Sequence, residues 1–360
     1  MSVVPATRFV LPPDAEAHEP PERRGLARDE VRLLVARPGA VEHRRFLDLA
    51  DVLEPGDLLV VNTSATLPAA LDARHHDGRA MTLHVAAALD DGDWVVEPRR
   101  PHGPETGVSA GDRLVLPGDV VLTLVAPYPD EDAPRRLWRA RPGPPVDLVG
   151  HLTTHGRPIA YGHVAGRFPL GDHQTVYATR PGSAEMPSAG RPLSERLLVR
   201  LVARGVTVAP LVLHAGVSSP EKHEPPMPER YDVPVATARL VNSARRAGTR
   251  VVAVGTTVVR ALETVAAPDG TVSPGHGWTD LVLGAHRPAR AVDGLISGLH
   301  EPEASHLALL EAVAGPELVG RAYAAAVREG YLWHEFGDST LLLPGPAGRP
   351  HPSIPSEASS

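Results

Sequence analysis

With 360 residues the chain is long enough for two domains with a substantial hydrophobic core, and its 39 prolines and 33 glycines are too dispersed for a low-complexity segment. The formal net charge of −7 gives no overall basic field, so a nucleic-acid partner would need a local basic surface. The absence of cysteine excludes disulfides, thiolate nucleophiles and cysteine-bound metal centres, and the one lysine, Lys222, lies in a proline-rich loop, which argues against a Walker A loop or a Schiff-base enzyme.

The first part of the chain predicts an extended arm followed by short strands. Prolines are frequent up to residue 31, and apolar runs at 32–36 and 58–61 then indicate strands separated by a helical turn or two at 46–53. The second run ends at Asn62-Thr63-Ser64. Polar residues at the exit of a buried strand are where α/β proteins bind ligands, although such a cluster is more often only a turn.

Residues 68–148 differ in pattern from their surroundings. Short alternating apolar runs are divided by Asp-Gly, Pro-Gly and Gly-Asp pairs, which predicts a small antiparallel β unit. A histidine pair inside it, His75-His76, has no third metal ligand at a useful spacing, so we interpret it as a solvated loop.

Four histidines follow in a stretch with little periodicity, and they raise the question of a metal site. The members of the set are His151, His155, His163 and His173. His151 and His155 are four residues apart, but no carboxylate lies between them and no clear helix surrounds them. We therefore interpret these histidines as loop residues and expect no bound metal.

The remainder of the chain alternates between strands and helices. The pattern predicts helices at 195–204 after the cap Ser194, and at 236–247, 305–313 and 318–328, with strands at 206–213, 250–254, 281–283, 293–299 and 341–343. This alternation is typical of a mostly parallel sheet or barrel. His214, Thr256 and His300 each follow a strand and should share one edge of the sheet, whereas Asp280 and Asp338 precede theirs.

Residues 249–265 change from a strand pattern to a helix pattern within a few residues. Gly255, Thr256 and Thr257 form the turn, and Arg260 falls in the first turn of the helix. Free amides and the helix dipole would make this turn a site for a carboxylate or phosphate. The alternative is that Thr257 caps the helix and Arg260 is a solvated surface charge.

Several stretches in one order resemble a known family over nearly the whole chain. They are RDEVRLL (28–34), HRRFLDLADVLEPGDLLVVN (43–62), QTVYA (174–178), the His214-Ala215-Gly216 turn, AVGTTVVRALE (253–263), TDL from 279, VDGLISGLH (292–300) and FGD from 336. The family is the S-adenosylmethionine:tRNA ribosyltransferase-isomerases of queuosine biosynthesis. The resemblance implies an α/β barrel-like domain (1–67 and 149–345), an inserted β-barrel (68–148) and a disordered tail (346–360).

The resemblance also implies a reaction. The ribosyl part of S-adenosylmethionine, a co-substrate, passes to 7-aminomethyl-7-deazaguanine in tRNA and is isomerised, and adenine and methionine leave. A sulfonium acidifies its neighbouring 5′ carbon, so a base such as His214 or His300 would suffice. Adenine needs an acid, for which Asp338, Asp280 and Glu229 are candidates.

The other family positions are expected to bind the co-substrate. Thr256, Thr257 and Arg260 would bind its methionine carboxylate. Gly255, Asp280, Gln174 and Tyr177 complete the expected binding set. We expect a cytoplasmic monomer or weak homo-oligomer that has no membrane contact.

The chain also departs from the family pattern. Two arginines are alanine within NTSATLPAAL (62–71), Pro192 replaces a histidine in PSAGRPLS (187–194), and a second histidine is missing from HEPPMPERY (223–231). These losses weaken the case for tRNA more than the case for S-adenosylmethionine. A helical stripe of Arg196, Arg200 and Arg204 could form a basic groove, but such stripes are more often solvated. The alternatives are a paralogue with a small-molecule acceptor and a non-catalytic protein that binds S-adenosylmethionine or RNA.

Overall fold

The described part of the chain comprises residues 4–101, 103–217 and 226–345 of a computed structural model. Lys222 and His223 of the proline-rich loop lie outside the described residues, as does the tail from 346 to 360.

The secondary structure begins with a group of short elements near the N-terminus. They are β1 (Arg32–Arg37), β2 (Ala40–Arg45), α1 (Leu49–Val52), β3 (Leu58–Asn62) and β4 (Ser64–Thr66). A run of strands follows: β5 (Ala70–His75), β6 (Ala80–Ala88), β7 (Trp94–Arg100), β8 (Gly103–Pro104), β9 (Arg113–Val115), β10 (Val121–Pro127) and β11 (Trp138–Gly143).

Helices and strands then alternate. The elements are α2 (Leu148–His155), β12 (Arg180–Ser183), α3 (Glu195–Ala203), β13 (Thr207–Leu213), β14 (Glu229–Val233), α4 (Val235–Ala247), β15 (Val251–Val254), α5 (Thr256–Thr264), β16 (Gly275–Thr279), β17 (Gly294–Gly298), α6 (Ser305–Ala314), α7 (Pro316–Arg328) and β18 (Ser339–Leu342).

A large mixed sheet forms the centre of the main domain. Its strand order is β16-β14-β13-β3-β15-β17-β18-β1-β2, and the neighbours β13, β3, β15 and β17 are parallel. β3 and β15 are apolar runs buried along their whole length, as expected for parallel strands with both faces covered. Residues of α4 to α7 contribute to the core on one side of the sheet, and residues of α1 and α3 to the core on the other.

The inserted segment forms a closed antiparallel barrel. The order β11-β10-β9-β5-β6-β7 is completed by pairing between β11 and β7, so the ring has no free edge among these strands. Trp94 and Trp138, which lie on the two closing strands, are almost fully buried. The predicted fold class, an α/β domain with an inserted antiparallel β-barrel, is confirmed.

One predicted strand was wrong in the C-terminal half of the chain, and one strand was missed. No strand forms at 281–283; residues 275–279 form β16 instead, paired antiparallel to β14, which the proline-rich sequence around it had hidden. Tyr231 lies opposite Gly277 in this pair. Asp280 therefore follows a strand rather than preceding one.

The local setting of two histidine pairs also differs from the prediction. His151 and His155 lie on the helix α2, whose cap Asp147 accepts a bond from the Gly150 amide. His75 is buried, and its ring lies between Asp77 and Asp112 rather than in solvent. Asp112 is distant in sequence, which is why a third polar partner was not expected.

Candidate active site at one edge of the parallel sheet

The four parallel strands bring polar residues to one edge of the sheet. Asn62 ends β3, His214 follows β13, Thr256 follows β15 and His300 comes shortly after β17. Because carboxyl ends of parallel strands share an edge, this placement confirms the prediction for His214, Thr256 and His300. His214 and His300 follow strands three positions apart, which separates them by roughly 14 Å at the usual strand spacing.

His214 is held by a buried pair of serine hydroxyls. Ser64 Oγ lies 2.7 Å from His214 Nδ1 and 2.6 Å from Ser183 Oγ, which in turn accepts a bond from the Ala215 amide at 2.9 Å. Both serines are fully buried. The hydroxyls fix the ring orientation, and within the described residues no hydrogen bond engages Nε2 of His214.

The environment of His214 favours a neutral imidazole. Burial lowers the pKa of His214 below its ordinary value, and the positive charge of Arg180 lowers it further. A neutral imidazole with an available nitrogen can accept a proton near neutral pH.

The N-terminus of α5 lies beside this cluster. Gly255 precedes the helix with φ of 92°, a conformation that favours glycine, and an added Cβ would be 3.4 Å from that of Ala189. Among the described residues, the amides of Thr256 and Thr257 donate no backbone hydrogen bond. These amides are the groups that an anion would contact.

Thr257 does not cap α5, contrary to the alternative interpretation of the sequence. It is the second residue of the helix, and its hydroxyl accepts a hydrogen bond from Asn62 Nδ2 at 3.2 Å. Asn62 Nδ2 also donates to the Leu213 carbonyl. Asn62 Oδ1 accepts from the backbone amides of Leu213 and Ser64. Asn62 thus joins the ends of β3 and β13 to α5.

Arg260 is buried rather than solvated. Its guanidinium forms an ion pair with Glu229 and also donates to the carbonyls of Met227, Thr279 and Leu281. Glu229 accepts a second bond from the Gly216 amide. Burial raises the pKa of Glu229, while Arg260 and the Gly216 amide oppose that shift.

His300 lies at the other end of the strand edge and stacks on a second histidine. Its Nε2 is 2.8 Å from Ser297 Oγ, and its ring is 4.7 Å from that of His306 at an interplanar angle of 6°. Burial, together with the nearby His306 and His334, holds the pKa of His300 well below its ordinary value. Burial and Arg260 lower the pKa of His306 to about 4.

The other predicted site residues have mainly intramolecular contacts. Both carboxylate oxygens of Asp338 accept backbone amides, from Arg32 and Leu332, and burial raises the pKa of this carboxyl. The side-chain amide of Gln174 bonds both backbone groups of Thr66.

Two further predicted residues complete the set. The Tyr177 hydroxyl packs against Gly190, where an added Cβ would lie 2.1 Å from it. Asp280 is exposed at the end of β16.

A cleft opens between the sequence motifs at 187–194 and 336–338. Its lining includes Arg28, Ser188, Arg191, Pro192, Gly298 and His334. Arg191 is almost fully buried and donates to Glu22 and to the Asp172 carbonyl. Pro192, which replaces a histidine of the family motif, therefore borders this cleft.

Two groups of histidines and carboxylates have metal-ligand spacing, one beside this cleft and one in the inserted barrel. One joins Glu16, His163 and His334, and the other joins His75, His76 and Asp112; in each group the ligand atoms lie within 4.8 Å of one another. Neither was predicted: Glu16, His163 and His334 are distant in sequence, and the pair His75-His76 was set aside because its third member, Asp112, is distant from it.

Comparison with known proteins decides the family. A model of the family described as queuosine biosynthesis protein matches residues 5–342. The chain belongs to this family. Members of the family include relatives named S-adenosylmethionine:tRNA ribosyltransferase-isomerase from Symbiobacterium thermophilum, 38% identical over 93% of this chain and 98% of the relative, and from Thermus thermophilus, 36% identical over 95% and 100%.

A solved structure of the same family supports the fold. The crystal structure of S-adenosylmethionine tRNA ribosyltransferase from Thermotoga maritima has a TM-score of 0.51 and 30% identity, covering 93% of this chain and 99% of that one. In the described part of this chain, no helix combines the length and the apolarity needed to cross a bilayer.

Several residues of the site were missed by sequence reasoning. Ser64 was noted at a strand exit but was given no role, and Ser183 was not singled out. His306 carries no local signal, since a histidine in the first turn of a helix is unremarkable by spacing alone.

Proposed function

We propose that this chain transfers the ribosyl group of S-adenosylmethionine to 7-aminomethyl-7-deazaguanine in tRNA and isomerises it, with release of adenine and methionine. The observation that carries the proposal is the shared strand edge, where His214, the free amides of α5 and His300 lie in a row. The names of the relatives supply the reaction class.

The base in this proposal is a neutral histidine. The first proton leaves the 5′ carbon next to the sulfonium, and an imidazole near neutral pKa can take it. We assign this step to His214, because Ser64 and Ser183 orient its Nδ1 and leave Nε2 to face the substrate. His300, whose Nε2 contacts Ser297, is the second candidate.

The methionine carboxylate is assigned to the start of α5. The amides of Thr256 and Thr257 and the dipole of the helix favour an anion there. Arg260 adds positive charge behind them, but its bonds to Glu229 and to carbonyls make it a positioning residue in this proposal. Gly255, which has no side chain, allows the methionine carboxylate to approach the backbone of the turn closely.

Protonation of the leaving adenine is assigned to Glu229. Burial raises the pKa of its carboxyl above the ordinary value, towards the range of a general acid, although Arg260 and the Gly216 amide oppose that shift. Asp338 already accepts two amides, and Asp280 is exposed at the end of an outer strand. Gln174 and Tyr177 would shape the pocket indirectly, because Gln174 bonds the backbone of Thr66 and Tyr177 packs against Gly190.

The proposal has consequences for partners and location. The co-substrate is S-adenosylmethionine, the partner is tRNA, and the reaction steps assigned above use no metal. From the tRNA-modifying role we infer a cytoplasmic location. A monomer or weak homo-oligomer remains our expectation.

A small-molecule acceptor is the second candidate, and the charge distribution favours it. Glu16, Glu301 and Glu335 gather near His334 on the cleft, a poor surface for phosphates. The helical arginine stripe is also partly neutralised, since Arg196 pairs with Asp29 and both Arg200 and Arg204 pair with Asp51.

The test is release of adenine from S-adenosylmethionine, followed by chromatography. Purified protein is incubated with tRNA that carries the aminomethyl-deazaguanine base, with unmodified tRNA, or with none. Release that needs the modified tRNA, with a matching mass gain on the RNA and loss in His214→Ala, supports the proposal. Binding of S-adenosylmethionine without tRNA-dependent release would instead favour the small-molecule acceptor or a non-catalytic binding protein.

A further inference from the structure

Two histidines and three glutamates from four separate chain segments meet beside the cleft. Glu16 belongs to the N-terminal arm, His163 to the segment after α2, Glu301 to the connection from β17 to α6, and His334 and Glu335 to the connection from α7 to β18. We call these five residues the His-Glu cluster. All five are outside the residues assigned to the reaction.

The distances within the cluster suit a small cation. His334 Nε2 lies 3.2 Å from Glu16 Oε1 and 3.4 Å from Glu301 Oε1. Ligands about 2.0–2.1 Å from a tetrahedral zinc ion are about 3.3 Å apart, so both pairs have the spacing of ligands that share one ion. His163 contributes a further ligand atom within 4.8 Å of those of Glu16 and His334.

The rings and the fifth residue support this arrangement. The imidazoles of His163 and His334 stack with centroids 4.1 Å apart at 16°. Glu335 Oε2 contacts His163 Nε2 at 3.0 Å, the kind of carboxylate contact that orients a metal-binding imidazole.

The charges of the cluster call for a cation. Three carboxylates face two imidazoles, and none of the three pairs with an arginine among the described residues. Nε2 of His334 carries at most one N–H, which cannot point at both Glu16 and Glu301. A divalent ion would balance the negative charge of the carboxylates. It would also accept the lone pairs of the imidazole nitrogens.

The backbone of His334 is also unusual. Its φ of 71° lies in the left-handed region, which non-glycine residues enter at a cost. Such strain persists where the surrounding structure holds a side chain in one place. Here it aims the imidazole at the glutamates of two other segments.

We propose that Glu16, His163 and His334 bind a divalent transition-metal ion of the zinc class, with Glu301 as an additional ligand and Glu335 as the orienting carboxylate. Imidazole and carboxylate oxygen together match the preferences of Zn²⁺. The ion fastens the N-terminal arm and the His163 segment to the two connections that border the cleft. It is structural, and it takes no part in the ribosyl transfer.

The test is titration of the chelator-stripped full-length protein with Zn²⁺ alone, by calorimetry against a competing chelator. His334→Asn is the informative variant, because asparagine tolerates the left-handed conformation and the fold is retained. We expect one tight Zn²⁺ site in the unmutated protein. Loss of a direct ligand in His334→Asn or Glu16→Gln should lower the affinity by more than the roughly 10- to 100-fold that loss of an orienting residue costs. Zn²⁺ should raise the melting temperature of the unmutated protein and leave that of His334→Asn unchanged.

Two control variants separate this site from other histidines. His76→Asn removes a member of the second histidine group, and His286→Asn removes an exposed histidine elsewhere. Both should bind Zn²⁺ as the unmutated protein does. Equal affinity in the unmutated protein and His334→Asn, or loss of the tight site in His76→Asn, would overturn the proposal and leave the cluster as an ion-pair network.

Discussion

At the level of single residues, Gly182 is the clearest constraint on the proposed base. A Cβ added at Gly182 would lie 2.4 Å from Nδ1 and Cε1 of His214, too close for any side chain. We expect Gly182→Ala to displace the imidazole from Ser64 and to lower kcat for adenine release by about 100-fold, since a shift of about 1 Å in a catalytic group can cost that much. Steady-state kinetics at saturating S-adenosylmethionine measures the effect.

The matched control is another glycine-to-alanine change. Gly320 lies in α7 with open space around its Cα. Gly320→Ala should leave kcat unchanged and raise stability by about 0.5–1 kcal/mol, because alanine favours the helix. If Gly182→Ala retained full activity while folded, His214 would not be the base.

His306 leads to a prediction about pH and stability. Its pKa falls to about 4 in the folded protein, below its ordinary value of about 6.5. Between those values the unfolded chain binds the proton and the folded chain does not, so stability decreases as pH falls from about 6.5 to about 4. His306 contributes at most about 3 kcal/mol to this loss, and less to the extent that solvent reaches the ring.

The measurement is urea unfolding of the unmutated protein and His306→Gln at about pH 7.5 and about pH 5. Glutamine does not titrate, so the variant should lose less stability on acidification. His286→Gln, an exposed position, should behave like the unmutated protein. Equal losses in all three proteins would show that His306 does not hold the depressed pKa in solution.

The sequence identified the histidines of the site better than the groups that orient them. His214 and His300 were found because each follows an apolar strand, and parallel strands end at one edge. Ser183 and His306 were not found, because their roles depend on contacts across more than one segment. The same reason hid the His-Glu cluster, whose members are scattered from Glu16 to Glu335.

At the level of elements, α5 and β14 are joined by the buried pair of Arg260 and Glu229. Removal of one partner leaves the other charge buried and unpaired, which usually costs 3–5 kcal/mol. We expect Arg260→Met to lower the free energy of unfolding by about that amount. Glu229→Gln should cost less, because the glutamine oxygen can still accept from the guanidinium, which also keeps its bonds to three carbonyls. The double variant should be more stable than Arg260→Met alone.

Urea unfolding of the four proteins gives the coupling energy of the pair. Each single variant serves as the control for the double variant. Additive losses would mean that the carbonyls of Met227, Thr279 and Leu281, rather than Glu229, hold the guanidinium.

Elements with strong periodicity or clear caps were predicted from the sequence. The helix after Ser194 begins where its hydroxyl accepts the Leu197 amide, and the helix before Gly248 ends at a left-handed residue. The β14 and β16 pair was missed because prolines and glycines dominate its surroundings. Its stability comes from cross-strand pairing on an existing sheet, which local propensity does not encode.

At the level of the whole molecule, the inserted barrel and the main domain share one hydrophobic cluster. Barrel residues such as Leu83 and Trp138 pack in the same cluster as Leu152 of α2, and as Val217 and Met227 of the main domain. Backbone bonds in both directions between Ala70 and Arg157 reinforce the junction. A chain of this length usually divides into domains that can unfold separately, but here the insert cannot leave without exposing this apolar surface.

We therefore expect one cooperative thermal transition, with equal calorimetric and van't Hoff enthalpies. Leu152→Ala at the junction should lower the free energy of unfolding by about 2–5 kcal/mol and shift the whole transition. Leu197→Ala, a buried position in the main-domain core, should shift it in the same way. Two separate transitions, or a Leu152→Ala shift confined to part of the enthalpy, would mean that the barrel is an independent unit. In that case its position relative to the main domain would be set by surface contacts, such as those of Asp90 with Arg230 and Trp278, rather than by a common core.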